Sequence, residues 1–197
     1  MKKIVAVVSS VIFLASLVYC SFTESNNADW SDMEIPDNEI ILISRYINHA
    51  WGYDNDGIFI DSDGGVYSFD FSQEINNYNH NETDETFLNK LQTIRTYTEP
   101  FVTLNANILN ELYSYSSGIN PDAELNSKHE AYDAGENQLM ICDTDTHKLV
   151  LCHEKGDYSG TLKDTYAKKL LLFYDDTISQ IIHNGKIESE TINPENN

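Results

Sequence analysis

The chain has 197 residues, with 32 acidic and 12 basic side chains and a formal net charge of -20 at pH 7. This excess of negative charge argues against nucleic acid as a partner, because binding to phosphates needs a surface rich in lysine and arginine. It also argues against electrostatic attachment to anionic lipid. Since 41% of the residues are hydrophobic, the chain is too apolar to be disordered throughout. Its length suits one domain with short tails.

The N-terminus has the pattern of an export signal. Lys2 and Lys3 precede an uncharged stretch, residues 4–18, which is shorter than the ~20 apolar residues of a usual membrane span. The chain becomes polar immediately after this stretch. We therefore expect residues 1–19 to be a signal peptide, rather than a buried N-terminal helix or a short permanent anchor.

The end of this segment resembles the cleavage motif of bacterial lipoproteins, through Leu17, Val18, Tyr19 and Cys20. The leucine and the cysteine match the motif, whereas Tyr19 stands where a small residue is usual. The resemblance to small bacterial surface lipoproteins covers the signal alone. It implies that Cys20 carries a lipid and anchors the protein to the outer face of the cell membrane. Ordinary cleavage nearby would instead give a freely secreted protein.

Composition divides the remaining chain into three parts. Residues 20–36 are rich in Ser, Asn and acidic residues and are expected to form a flexible tether. Residues 37–192 are expected to form one globular domain, and residues 193–197 a disordered tail. For the domain we predict an α+β fold, in which two hairpins form an antiparallel sheet and about four helices pack on one face.

The domain is predicted to begin with a helix, because apolar residues recur at helical spacing at Ile40, Ile43, Ile47 and Trp51. Asp37 can cap this helix and Gly52 can end it. His49 would then lie in the last turn, where a protonated ring interacts favourably with the helix dipole. We prefer that role for His49 to a catalytic one.

The next element is a predicted hairpin, with strands at residues 57–61 and 66–71. The turn between them contains Gly64 and Gly65, which accept positive φ without steric strain. The second strand places three aromatic rings on one face, which should pack on a helix: Tyr67, Phe69 and Phe71.

Three further helices are predicted from apolar spacing and from cap and stop residues. They run from Thr83 or Asp84 to Pro100, over residues 102–116 and over residues 162–178. The polar segments 72–84 and 122–137 are predicted to be loops. A short strand is expected near Ile187, in the C-terminal tail.

The second hairpin is predicted to have arms at residues 139–142 and 148–152, with its turn around His147. This register would place Cys142 and Cys152 opposite each other, close enough for a disulfide. Oxidising conditions outside the cytoplasm would allow the bond to form. Two buried thiols and a metal site completed by a neighbouring histidine are the alternatives.

Four aspartates around the first hairpin are candidate metal ligands, since Ca²⁺ prefers carboxylate oxygens: Asp54, Asp56, Asp61 and Asp63. They do not form an EF-hand loop, because Ile58 falls at a ligand position. Solvated turn carboxylates are the alternative reading. No other cofactor is predicted.

The sequence contains none of the H-E-x-x-H, G-x-S-x-G or phosphate-loop motifs of well-known enzymes. We therefore favour a non-enzymatic, cell-surface binding or interaction module that takes an unidentified surface or extracellular ligand. The membrane would be a partner only through the N-terminal lipid. Two other functions are considered: a secreted hydrolase with an acidic active site, and a calcium-dependent surface module.

Overall fold

The computed structural model describes residues 34–37, 39–50, 52–73, 83–144 and 146–192. The predicted signal peptide, Cys20, most of the tether and the C-terminal tail lie outside these residues. The described part is an α+β fold, as predicted from the sequence.

Within the described residues, eight strands form one antiparallel sheet, with the order β4-β3-β2-β1-β6-β7-β8-β5. The strands β1 and β6 are central, and β4 and β5 are the two edges. Their bounds are Ile40–Asn48 for β1, Asp54–Asp61 for β2, Gly65–Asp70 for β3, Val102–Thr103 for β4, Leu125–His129 for β5, Glu136–Asp143 for β6, Lys148–Gly156 for β7 and Tyr158–Leu162 for β8.

The described residues form three helices rather than the four predicted. They are α1 (Asp84–Tyr97), α2 (Ala106–Ser117) and a long third helix, which starts as α3 (Thr165–Phe173), passes through a π-helical turn (Tyr174–Ile178) and continues as α4 (Ser179–Ile192). Side-chain oxygens of Thr83, Asn105 and Asp164 accept backbone N–H groups and so cap the helix starts. None of the described helices has the length and apolar composition needed to cross a bilayer.

Helices cover both faces of the sheet, not one face as predicted. On the α1 face, Phe87 and Leu91 of α1 pack in one core with sheet residues such as Phe59. On the opposite face, α2, α3 and α4 pack in a second core, which contains Leu112 and Leu170. The predicted contact of the aromatic strand with a helix is confirmed, because the Phe87 ring lies 5.7 Å from the Phe69 ring and nearly perpendicular to it.

The first predicted helix is wrong, because this segment is the central strand β1. Ile40 and Ile43 contribute to the α1-face core, whereas Ile41 and Leu42 contribute to the other core. A strand covered on both faces is a continuous apolar run and lacks the alternation of a half-exposed strand. In such a run, apolar residues occur at helical spacing by chance. His49 follows this strand, so the predicted helix dipole does not act on it.

The two predicted strand pairs are present as β2–β3 and β6–β7. They do not make the whole sheet, because β1, β4, β5 and β8 complete it. The strand β5 lies within a segment predicted to be a loop. Ile187, predicted to lie in a strand, is part of α4.

Candidate functional site

A cavity of about 670 Å³ lies at the end of the sheet where α1 begins, and we call it the α1 cavity. It is lined by the start of β1, the end of β6, the β6–β7 turn and the first turns of α1. These segments meet because β6 pairs with β1 on one side and with β7 on the other. The topology therefore brings together side chains that are far apart in the sequence.

The apolar part of the α1 cavity consists of Ile40, Leu88 and Cys142. Ile40 and Cys142 are buried, with 2% and 6% of their surface exposed. Leu88 packs against the α1-face core. The cavity thus has an apolar floor that continues into the core.

Three carboxylates also line the α1 cavity: Glu39, Asp84 and Glu85. The Oδ2 atom of Asp84 accepts the backbone N–H of Leu149 at 3.0 Å, which ties the start of α1 to β7. The backbone N–H of Glu39 donates to Ser62 Oγ at 3.2 Å, and its carbonyl accepts the N–H of Ser62 at 2.9 Å. The Asp84 carboxylate is therefore held by β7, and the backbone of Glu39 is held by the β2–β3 turn.

The pKa of the Cys142 thiol reflects the negative charge around the α1 cavity. Burial, followed by the charges of Glu39, Asp143 and Asp84, raises the pKa of Cys142 to about 11. The thiolate is the nucleophilic form of cysteine, so at neutral pH this residue is an inert thiol. A positive group would be stabilised where these carboxylates destabilise a negative one.

His147 and Lys148 supply the basic groups of the α1 cavity. His147 adopts φ 51°, and its backbone N–H donates to Asp143 O at 2.8 Å, so the β6–β7 turn fixes its position. Its Nδ1 atom lies 3.8 Å from Glu39 Oε2. This distance is too long for a hydrogen bond, and the pair attracts only when the histidine is protonated.

A second acidic region lies at the opposite end of the sheet and contains Glu136, Glu154 and Asp157. Burial raises the pKa of Glu136; the hydrogen bond from Gln138 opposes this shift, and the charges of Glu154 and Asp157 add to it. Glu154 is buried and accepts a hydrogen bond from Ser127 Oγ. Asp157 Oδ1 accepts the backbone N–H of Ala134 at 2.7 Å.

The premise of the predicted disulfide is wrong, because Cys142 does not lie opposite Cys152. The register pairs Cys142 with Leu149. Cys152 belongs to the core on the α2 side of the sheet. Cys142 follows Met140 at a spacing of two and so shares the α1 face with it. The two cysteines therefore point to opposite faces, and both are free thiols in the structure.

The four aspartates proposed as calcium ligands are not brought together. Asp54 and Asp61 are at opposite ends of β2, an extended strand that rises about 3.3 Å per residue. Asp61 and Asp63 bind Arg95 instead, at 2.6 and 2.7 Å. Within the described ranges, no group of three or more His, Cys, Asp or Glu residues is arranged to hold a metal ion.

Known proteins do not identify this chain. No protein-family model matches it, and neither a curated protein nor a solved structure matches it. Function is therefore inferred only from the geometry and charge of the sites described above.

Proposed function

We propose that the chain is an exported, non-enzymatic binding module, anchored through a lipid at Cys20, and that the α1 cavity is its ligand site. The main evidence for a ligand site is the cavity itself. Its volume of about 670 Å³ falls within the ~300–1,000 Å³ that is usual for small-molecule sites. Its apolar floor and a few polar groups at the rim are also typical of such sites.

The chemistry of the lining favours binding over catalysis. The thiol of Cys142 is protonated at neutral pH, because its pKa is raised to about 11. Asp84 is held by the backbone of β7. The His147 ring is 66% exposed and makes no close hydrogen bond to Glu39. Cys142, Asp84 and His147 are therefore not joined as a nucleophile hydrogen-bonded to a general base.

The lining also indicates the class of ligand. Among the described lining residues, Glu39, Asp84 and Glu85 outnumber the one permanently positive residue, Lys148. An organic cation with an apolar body would place that body on Ile40 and Leu88 and its charge beside Glu39. A molecule with the same apolar body and a negative group would be repelled by the carboxylates.

Calorimetric titration with three matched probes tests this function: 2-phenylethylamine, 2-phenylethanol and phenylacetate. We expect the amine to bind, the alcohol to bind at least several-fold more weakly and the carboxylate not to bind. Leu88→Lys should abolish binding of the amine, because it places an ammonium group in the cavity. Leu172→Lys is the matched control, since Leu172 is 63% exposed on α3. Absence of binding by all three probes would count against the function.

The anchor is tested by the mass of the protein recovered from cell membranes. We expect a chain that lacks residues 1–19 and carries acyl groups on Cys20. Cys20→Ser should lose the acyl groups and the stable membrane attachment. A native chain recovered uncut from the cytosol would contradict both export and anchoring.

A secreted hydrolase remains the second candidate, and Glu136 is the observation that favours it. A carboxyl group whose pKa is raised by burial and by neighbouring carboxylates is a candidate general acid. Glycoside substrates should then be cleaved by the protein, and Glu136→Gln should remove the activity. Glu130→Gln, at an exposed residue just after β5, should leave it unchanged.

A further inference from the structure

The edge strand β5 is open, unlike β4, the edge strand on the other side of the sheet. The strand β4 has two residues and packs against α4. In β5, residues 126–129 are all exposed, and among the described residues this strand pairs only with β8. An open edge presents unpaired backbone N–H and C=O groups to an incoming strand.

The hydrogen bonds beyond both ends of β5 show which backbone groups face outward. Glu124 O accepts the N–H of Lys163, and Glu130 N–H donates to Asp157 O, each at 2.9 Å. In an antiparallel pair, residues bond to the partner strand alternately. The even-numbered residues of β5 therefore bond to β8, and Leu125, Ser127 and His129 direct their backbone groups outward.

A buried carboxylate lies close to this edge. Glu154 of β7 pairs with Gly160 of β8, which in turn pairs with Ser127 of β5. Because Gly160 has no side chain, the Glu154 carboxylate reaches across it to accept the hydrogen bond from Ser127 Oγ. Glu154 has only 6% of its surface exposed. Its charge is therefore held beside the open edge.

Ser127, Gly160 and Glu154 lie opposite one another on neighbouring strands and therefore share one face of the sheet. Glu154 pairs with Gln138, and Gln138 pairs with Arg45, whose guanidinium carbon lies 5.0 Å from the Phe87 ring centre. Lys128 projects to the other face, where its Nζ atom lies 3.0 Å from Glu130 Oε1. The charge of Lys128 therefore does not oppose a basic group placed beside Ser127.

An aromatic group stands at the end of β5 on the same face as Ser127. The ring of His129 lies 5.2 Å from Tyr158 and 4.4 Å from Tyr132. Tyr132 is 86% exposed and Tyr158 is 45% exposed. Exposed aromatic rings of this kind provide an apolar surface for a partner side chain.

We infer that β5 accepts an extended peptide of another protein as an antiparallel ninth strand, with a basic residue opposite Ser127 and an apolar residue two positions before it. The added strand would lie about 4.8 Å beyond β5, and a lysine or arginine side chain spans that step toward Glu154. The apolar residue would fall opposite His129 and cover the aromatic group. The recognised pattern is therefore apolar-x-basic.

A second copy of this chain fits the edge less well than a basic peptide does. Each copy carries a formal charge of -20, so pairing two β5 strands would bring like charges together. A basic peptide is complementary to that charge. The inferred peptide site is separate from the α1 cavity and does not depend on it.

Fluorescence anisotropy with labelled peptides and the purified protein tests the inference. The probe is acetyl-Thr-Thr-Tyr-Thr-Lys-Thr-Thr-amide, and the control exchanges its Tyr and Lys. We expect the probe to bind about tenfold or more tightly than the control. Methylation of the Lys backbone nitrogen should remove binding, because that N–H donates to Ser127. Methylation of the following Thr nitrogen, which points away from β5, should have little effect.

The charge contact is tested by a double-mutant cycle. Glu154→Gln should weaken the Lys probe at least fivefold, whereas it should not affect a probe in which Thr replaces Lys. Glu130→Gln should leave both affinities within twofold. Equal binding of the exchanged peptide, or of the peptide methylated at the Lys nitrogen, would overturn the inference. So would a stable dimer in sedimentation experiments that is lost on Ser127→Pro, because a second copy would then occupy the edge.

Discussion

Arg95 and Asp61 form an ion pair that joins α1 to the β2–β3 turn, with Arg95 Nε 2.6 Å from Asp61 Oδ2. The Asp61 side chain is 1% exposed, and the Arg95 side chain is 13% exposed. The other oxygen of Asp61 accepts the N–H groups of Asp63 and Gly65, at 3.1 and 2.7 Å. One buried carboxylate therefore holds both the turn and the end of α1.

Arg95→Met should destabilise the protein by about 3 kcal/mol, because it leaves a buried carboxylate without its positive partner. The free energy of unfolding in urea measures this effect. Lys163→Met is the matched control, since it removes the exposed pair between Lys163 and Glu124, and an exposed pair contributes little to stability. Equal losses in the two variants would show that Asp61 does not depend on Arg95.

Phe87→Ala should cost about 3–5 kcal/mol, the usual range for removing a buried phenylalanine ring. Phe87 is 2% exposed and meets the rings of Phe69 and Phe71 edge-on, at 5.7 and 6.1 Å. Tyr97→Ala, at the exposed end of the same helix, should change the stability little. A small effect of Phe87→Ala would mean that α1 does not pack on the sheet as described.

The two cysteines should behave as isolated, unreactive thiols. Burial, more than any other cause, raises the pKa of Cys142 to about 11 and that of Cys152 to about 12. We expect slow labelling of both by a thiol reagent at neutral pH and complete labelling after denaturation. A non-reduced peptide map in which these two cysteines are cross-linked would contradict the register of β6 and β7.

Glu136 should make the protein less stable as the pH rises. Its pKa is raised in the folded state, mainly by burial, so the folded protein binds this proton more tightly than the unfolded chain does. The resulting stabilisation is complete below the ordinary glutamate pKa and is lost as the pH rises through the folded pKa.

Glu136→Gln removes this dependence. At pH 7 it should therefore be more stable than the parent protein, and the difference should disappear below about pH 3, more than one unit under the ordinary glutamate pKa, where the glutamate is protonated in both states. Urea unfolding at a series of pH values measures the difference. A variant that is less stable than the parent at pH 7 would contradict the raised pKa.

Local sequence signals predict the elements that carry them. The glycine turn and alternating aromatics around Tyr67 predict β2 and β3, and Thr83 with the apolar spacing after it predicts α1. The strand β5 has no such signal, because an exposed edge strand needs few apolar residues. The strand β1 was predicted as a helix, because its burial on both faces removes the alternation of apolar and polar residues that marks a strand.

The candidate site was not predictable in the same way. Glu39, Asp84, Cys142 and His147 come from separate segments and follow no motif. The strand order and the register bring them together, and both depend on long-range pairing. The disulfide was predicted from a turn centred at His147, whereas the register pairs Asp143 with Lys148, so the middle of the turn lies before His147 and Lys148 begins β7.

The most direct test of the binding function is methyl NMR of the protein titrated with 2-phenylethylamine and, separately, with phenylacetate. We expect the amine to shift the methyl signals of Ile40 and Leu88, Glu39→Gln to weaken this effect, and phenylacetate to leave both signals unchanged. The binding function would be contradicted if the amine left both signals in place, or if phenylacetate shifted them equally.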